Sequence, residues 1–217
     1  MLLKLYFRLY SKIYLLYNER KRIRLFIMKK ITVTFLMFFF SFSVAFAGPF
    51  GLSKGMSVEQ ISKLSEKGFE PERVSDDMYF FIPKNKIELF KACIAYVDEK
   101  KGLYRINAIS EGINTSAYGI ELINLFNLMV QGLSKTYGTP EITDTVKEDY
   151  EFKEGRYWFR SLQDEARELS ATWKNGKKGT TLPKELDSIS MYVSANFLYG
   201  LINIDYYFSN SAEIQGK

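Results

Sequence analysis

The stretch from Tyr118 to Pro140, YGIELINLFNLMVQGLSKTYGTP, constrains the fold more than any other part of the chain. Between Glu121 and Ser134, Leu122, Phe126, Met129 and Leu133 recur at the spacing of one helical face. Ile123, Leu125, Leu128 and Val130 widen that stripe nearly round the cylinder. The polar positions Glu121, Asn124, Asn127, Gln131 and Lys135 form a narrow line. A helix of this kind has to be covered on two sides, so it is expected to be central and the most buried element. Asn114, Thr115 and Ser116 supply candidate N-cap oxygens. Gly138 and Pro140 supply the stop, because glycine takes the left-handed conformation cheaply and proline cannot continue the turn.

The first 47 residues are a different kind of sequence. Met28-Lys29-Lys30 precedes seventeen uncharged residues, ITVTFLMFFFSFSVAFA, that end in Ala45-Phe46-Ala47. A charged start, an apolar core and a small-residue exit make up a secretory signal peptide, so residues 28–47 are expected to be removed after Ala47. Seventeen residues is short for a membrane span, and an uncleaved leader is the only membrane attachment expected. Residues 1–27 read as a misplaced start or a long basic n-region. The expected product is a periplasmic or secreted domain of residues 48–217.

Removing the leader reverses the sign of the charge. It holds nine basic residues and one acid, leaving 21 basic against 24 acidic residues and a net charge of about −3 where the whole chain has +5. The basic pI therefore gives no support for nucleic-acid binding. The single cysteine, Cys93, has no partner for an intramolecular disulfide. It sits in an alternating apolar run and reads as a small core residue.

Gly55-Met56-Ser57-Val58-Glu59-Gln60-Ile61 opens a helix clearly: Ser57 and Gln60 have capping-box spacing, with Met56 and Ile61 at the staple positions. Three strands follow, Met78 to Ile82, residues 91–97, and Leu103 to Ile109, the last two joined by the hairpin loop Asp98 to Gly102. Beyond the long helix, Glu141 to Gly155 reads as acidic and irregular. Tyr157 to Glu168 reads as helix, Leu169 to Trp173 as strand, and Ser188 to Ser194 with Leu201 to Phe208 as a final hairpin. The tail from Ser209 reads as frayed.

Two segments match one another. In KACIAYVDEKKGLYRINAI and DSISMYVSANFLYGLINIDYY, Tyr96-Val97 aligns with Tyr192-Val193 and Ile106 with Ile204. The expected fold class is therefore α+β: two helix-plus-three-stranded antiparallel meander units, residues 55–110 and 155–208, arising by duplication and packed around the helix of residues 117–138. The Gly55-Met56-Ser57-x-Glu59 opening, the Tyr137-Gly138-x-Pro140 ending and the meanders resemble those of exported bacterial proteins with the same opening. They also resemble the outer-membrane assembly lipoprotein E and β-lactamase-inhibitor-like fold group. That resemblance implies a binding or assembly role. The chain lacks the lipidated cysteine of the lipoprotein member, so anchoring is not implied.

The chain has no histidine, which removes Ser-His and Cys-His nucleophile systems and histidine-ligated zinc. It has no phosphate-binding glycine loop, and no cofactor is expected. Carboxylates remain. Glu148, Asp149, Glu151 and Glu154 cluster before Asp164, Glu165 and Glu168, enough for a glycosidase-like acid/base pair, though such clusters are ordinarily solvated partners of residues such as Arg160 and Arg167. Aromatics offer the other chemistry. Tyr96, Tyr104, Tyr192 and Tyr206 alternate along the strands, and Tyr96, Tyr192 and Tyr206 are the candidates for contacting a partner. The functional expectation is a non-catalytic envelope protein that binds a protein or glycan. The alternatives are a carboxylate-dependent hydrolase of cell-wall glycan and a periplasmic enzyme inhibitor.

Overall fold

The computed structural model describes residues 48–85, 87–90 and 92–215; the leader lies outside the described residues. The chain forms mixed helix and sheet, with eight strands in one antiparallel sheet: β1 (Glu72–Arg73), β2 (Met78–Phe81), β3 (Ala92–Asp98), β4 (Gly102–Ile109), β5 (Glu141–Val146), β6 (Arg167–Lys174), β7 (Leu186–Ala195) and β8 (Gly200–Phe208). Their order in the sheet is β1-β2-β3-β4-β8-β7-β6-β5. Each half of the chain thus contributes a meander of four strands rather than three, and β4 and β8 pair in the middle. Among the described residues four α-helices accompany them: α1 (Val58–Lys63), α2 (Ile120–Tyr137), α3 (Trp158–Gln163) and α4 (Ser211–Gln215).

Side chains alternate between the two faces of a strand, so the core face follows from the buried parity. Cys93, Ala95 and Val97 on β3 share it with Ile106 and Ala108 on β4, Ile202, Ile204 and Tyr206 on β8, and Ile189, Met191 and Val193 on β7. The cross-strand pairs Ala95–Ile106, Ile106–Tyr206 and Tyr206–Ile189 run through its centre. Cys93 lies fully inside, and burial pushes its thiol far above the usual range, as expected for a core cysteine.

The helix α2 buries Leu122, Phe126, Met129 and Leu133 against this face, and Leu122 packs on Gly200 at the start of β8. Ile123, Leu125, Leu128 and Val130 are only half-buried, and Ile120 is exposed, so the helix is not wrapped all round. Its start also differs from expectation. The N-cap is Gly119 in the left-handed conformation, and Trp158 occupies the space a β-carbon there would need. Ser116 N–H and Thr115 Oγ1 instead donate to Glu121 Oε2 at 2.8 and 3.0 Å. The helix stops at Gly138 as expected, but with φ 82° and ψ −158°, a positive φ that favours glycine without being the left-handed helical conformation.

At α1 the capping box forms: the Gln60 N–H donates to Ser57 Oγ and the Ser57 N–H to Gln60 Oε1. Three local expectations need correction. Residues 141–146 are the edge strand β5, paired along its length with β6, not an irregular segment. The helix before β6 stops at Gln163, because Glu165 turns the chain at φ 53°. The tail docks: Asn210 Nδ2 donates to the carbonyls of Lys101 and Leu103, Lys101 Nζ pairs with Glu213 at 3.0 Å, and Ser211 is buried.

Candidate functional site

The alternate residues of the same strands face away from the helix layer. On the two central strands they are Arg105 and Asn107 of β4 and Asn203, Asp205 and Tyr207 of β8. Tyr96 of β3 and Tyr192 of β7 stand on either side. Register brings them together. Arg105 lies opposite both Tyr96 and Tyr207, Asn107 opposite Asp205, and Asn203 opposite Tyr192.

At the centre, Arg105 Nε donates to Asp205 Oδ1 at 3.0 Å and Nη2 to Oδ2 at 2.9 Å, a two-pronged contact that fixes both planar groups. Asn107 Nδ2 adds a third donor to Asp205 Oδ1 at 3.0 Å. The guanidinium carbon lies 4.4 Å from the Tyr96 ring centre and 5.1 Å from that of Tyr207, so the cation is held between two aromatic faces. Burial alone would lower the pKa of Arg105. The hydrogen bonds and charge of Asp205, with smaller contributions from Tyr207 and Tyr96, reverse this and raise it. Burial also raises the pKa of Tyr96, Tyr192 and Tyr207, which therefore remain neutral phenols able to donate and accept. Next along β8, Asn203 Nδ2 donates to Ser194 Oγ at 2.8 Å. The floor is thus satisfied from within, while the half-buried tyrosines rise above it.

Of the three tyrosines expected to meet a partner, Tyr96 and Tyr192 lie on this open face, three strand spacings or about 14 Å apart across the sheet. Tyr206 does not. It is 5% exposed on the helix side, its ring 6.2 Å from that of Phe50 in an edge contact, and cannot touch a partner. Its neighbour Tyr207 takes the open-face position. Tyr104 sits at the β3–β4 bulge, buried, with its hydroxyl donating to Asp77. Arg105, Asn107 and Asp205 carry the site without having been singled out from sequence. The signal was parity: Ile106 and Ile204 point inward, so residues 105, 107, 203, 205 and 207 point outward.

The acidic residues considered for catalysis do not converge on an enclosed site. Glu148, Asp149, Glu151, Glu154, Asp164, Glu165 and Glu168 are all exposed. Asp164 accepts from Tyr150 Oη at 2.6 Å and pairs with Arg160 at 3.4 Å, Glu154 pairs with Arg156, and Glu168 accepts from Ser170. Arg167 pairs with Asp144 of β5. Among the described residues there is no cluster of three or more potential metal ligands, and no helix long and apolar enough to cross a membrane. No protein-family model matches the chain, and neither does any curated protein or solved structure. The open tyrosine face, with its arginine–aspartate floor, is the feature from which a function can be argued.

Proposed function

We propose that the chain is an exported, non-catalytic protein of the cell envelope that binds a partner protein through the open face of its sheet. The observation that carries this reading is the Arg105–Asp205 pair, held beneath Tyr96, Tyr207 and Tyr192. Tyrosine and arginine are the side chains most enriched at interface hot spots, because each brings a large contact area and a polar end. Side chains already fixed by their own contacts lose little freedom on binding, so more of the contact energy appears as affinity.

The test is in-cell crosslinking followed by titration of the purified partner. Tyr96→Ala and Tyr192→Ala should each weaken binding by about tenfold while keeping a cooperative melting transition, since neither ring is in the core. A protein that recovers no specific partner and turns over purified wall glycan would defeat this reading in favour of the hydrolase; retention of glycan without turnover would make glycan the ligand.

Export supplies the compartment. The leader motif is followed at once by packed chain: Phe50 meets Tyr206, Leu52 is fully buried, and a β-carbon on Gly48 would strike the Leu52 carbonyl at 2.3 Å. Sequencing of the protein from the envelope should read Gly48-Pro49-Phe50; recovery of residues 29–47 would mean an anchored form instead.

We also propose that the two halves descend from one duplicated helix-plus-meander unit arranged about the long helix α2. The mirrored strand order supports this. So does the identical closure of the two hairpins, in which Asp98 Oδ1 accepts from the N–H groups of Lys100 and Lys101, and Asn196 Oδ1 from those of Leu198 and Tyr199.

A further inference from the structure

The sheet has two edges, and they are guarded unequally. β1 at one edge is two residues long, Glu72–Arg73, too short to take up another strand. β5 at the other runs for six residues, Glu141–Val146, without a bulge, and among the described residues no strand pairs with its outer side. Just beyond it the Lys147 N–H donates to the Ala166 carbonyl at 2.9 Å, and positions 147 and 166 continue the β5–β6 register. Hydrogen bonding alternates along an antiparallel strand, so Glu141, Thr143 and Thr145 likewise turn their main-chain groups to β6. Ile142, Asp144 and Val146 turn theirs to the free edge. Their side chains continue the helix side of the sheet, because Ile142 lies opposite Ala171 and Asp144 opposite Leu169, and Ile142 is left 56% exposed.

Free main-chain N–H and C=O groups are a template for another strand, and the charges along the edge decide which strand is admitted. β5 and the lysine after it read Glu-Ile-Thr-Asp-Thr-Val-Lys, a sequence complementary to itself when run antiparallel about Asp144. In that register Glu141 lies opposite Lys147 of a second copy, Ile142 opposite Val146, and Thr143 opposite Thr145, each pair occurring twice. Opposite charges, β-branched pairs and threonine pairs at facing positions all stabilise a sheet. Asp144 meets Asp144 on the axis as a like-charge pair, and each is already neutralised by its own Arg167. Glu141 has a contact with Lys177 at 3.4 Å within the chain, exposed at both ends and of the kind worth little. The parity of the hydrogen bonds agrees, because the outward residues Ile142, Asp144 and Val146 fall opposite one another and make about six main-chain bonds. Centring the pair on Thr143 or Thr145 sets Asp144 against Ile142 or Val146 and loses the Glu141–Lys147 pairs. The ladder is also bounded at both ends: Pro140 has no N–H, and the Tyr150 N–H closes a turn on the Lys147 carbonyl at 3.1 Å.

We propose that two copies of this chain join edge to edge through β5, antiparallel and with the two-fold axis at Asp144, so that one sheet runs through both. The second copy covers Ile142 with its Val146 and satisfies the outward main-chain groups of both edges. The axis is perpendicular to the sheet, which leaves the two open tyrosine faces on the same side of the dimer. The dimer does not depend on what that face binds.

The test is sedimentation equilibrium of the chain as purified from the envelope, over about 1–200 μM, beside the variants Ile142→Pro, Glu141→Lys and Lys147→Glu. Proline at position 142 removes an N–H that points away from β6, so the fold keeps its own ladder while the dimer loses a bond and meets the ring. Each charge reversal sets like charges opposite one another twice. The expected result is a monomer–dimer equilibrium for the wild type and a dissociation constant raised at least about tenfold by each variant alone. Mixing Glu141→Lys with Lys147→Glu should restore a dimer of near wild-type affinity, because each variant then faces its complement. A wild type that stays monomeric throughout overturns the proposal. So does a dimer indifferent to Ile142→Pro or to the charge reversals, or one that the reversals weaken and their mixture does not restore. Melting curves identify a variant that has not folded; if Ile142→Pro is one, the mixing result decides alone.

Discussion

Phe126→Asp is expected to abolish folding. Phe126 sits at the middle of the α2 stripe with no exposure, flanked by Leu122, Met129 and Leu133. Removing its ring forfeits about 2–3 kcal/mol of burial. A carboxylate at the same depth adds several kcal/mol, because no cation on this helix face can reach it. Domains of this size are stable by about 5–15 kcal/mol in all, so the two losses together exhaust most or all of it. Circular dichroism during heating should show no cooperative transition. Leu128→Asp is the matched control: that residue is only half-buried, and the variant should keep a transition at a lower temperature. A normal melt for Phe126→Asp would show that this face of α2 is not the core.

The features legible in the sequence are those fixed by neighbouring residues. The capping box at Ser57 and Gln60 is settled within four positions, and the glycine stop at Gly138 is equally local. Alternation placed Cys93, Ala95 and Val97 inward for the same reason. The same rule assigns Tyr206 correctly if applied from Ile204 rather than from residue type, and neglect of parity is what put it on the wrong face. Edge strand β5 was hidden because its β-branched residues, Ile142, Thr143, Thr145 and Val146, are interleaved with carboxylates that a core strand would not tolerate but an edge strand does. What local reasoning cannot reach is pairing between distant segments. Arg105 and Asp205 are one hundred residues apart, and only the β4–β8 register makes them neighbours. The docking of Asn210 on the backbone at Lys101 and Leu103 is of the same kind.

That central pair sets the second large effect. The Asp205 side chain is 4% exposed and that of Arg105 22%, so the two partners are unequally able to do without each other. Arg105→Met leaves a carboxylate under the tyrosines with Asn107 as its remaining side-chain donor, and is expected to cost about 3–5 kcal/mol in urea unfolding. Asp205→Leu leaves a guanidinium that still reaches water and still lies between Tyr96 and Tyr207, and should cost less, about 1–3 kcal/mol. The double variant Arg105→Met with Asp205→Leu removes both charges and keeps the volume but leaves the buried Asn107 Nδ2 without its acceptor, so it should recover to within about 1–3 kcal/mol of wild type. A loss under about 1 kcal/mol for Arg105→Met alone would mean that the pair is effectively hydrated, and its geometry would then count for little in stability. If the double variant is stable but no longer binds the partner, the pair serves the open face as a recognition element. If it is stable and binds normally, the tyrosines act without the charges beneath them.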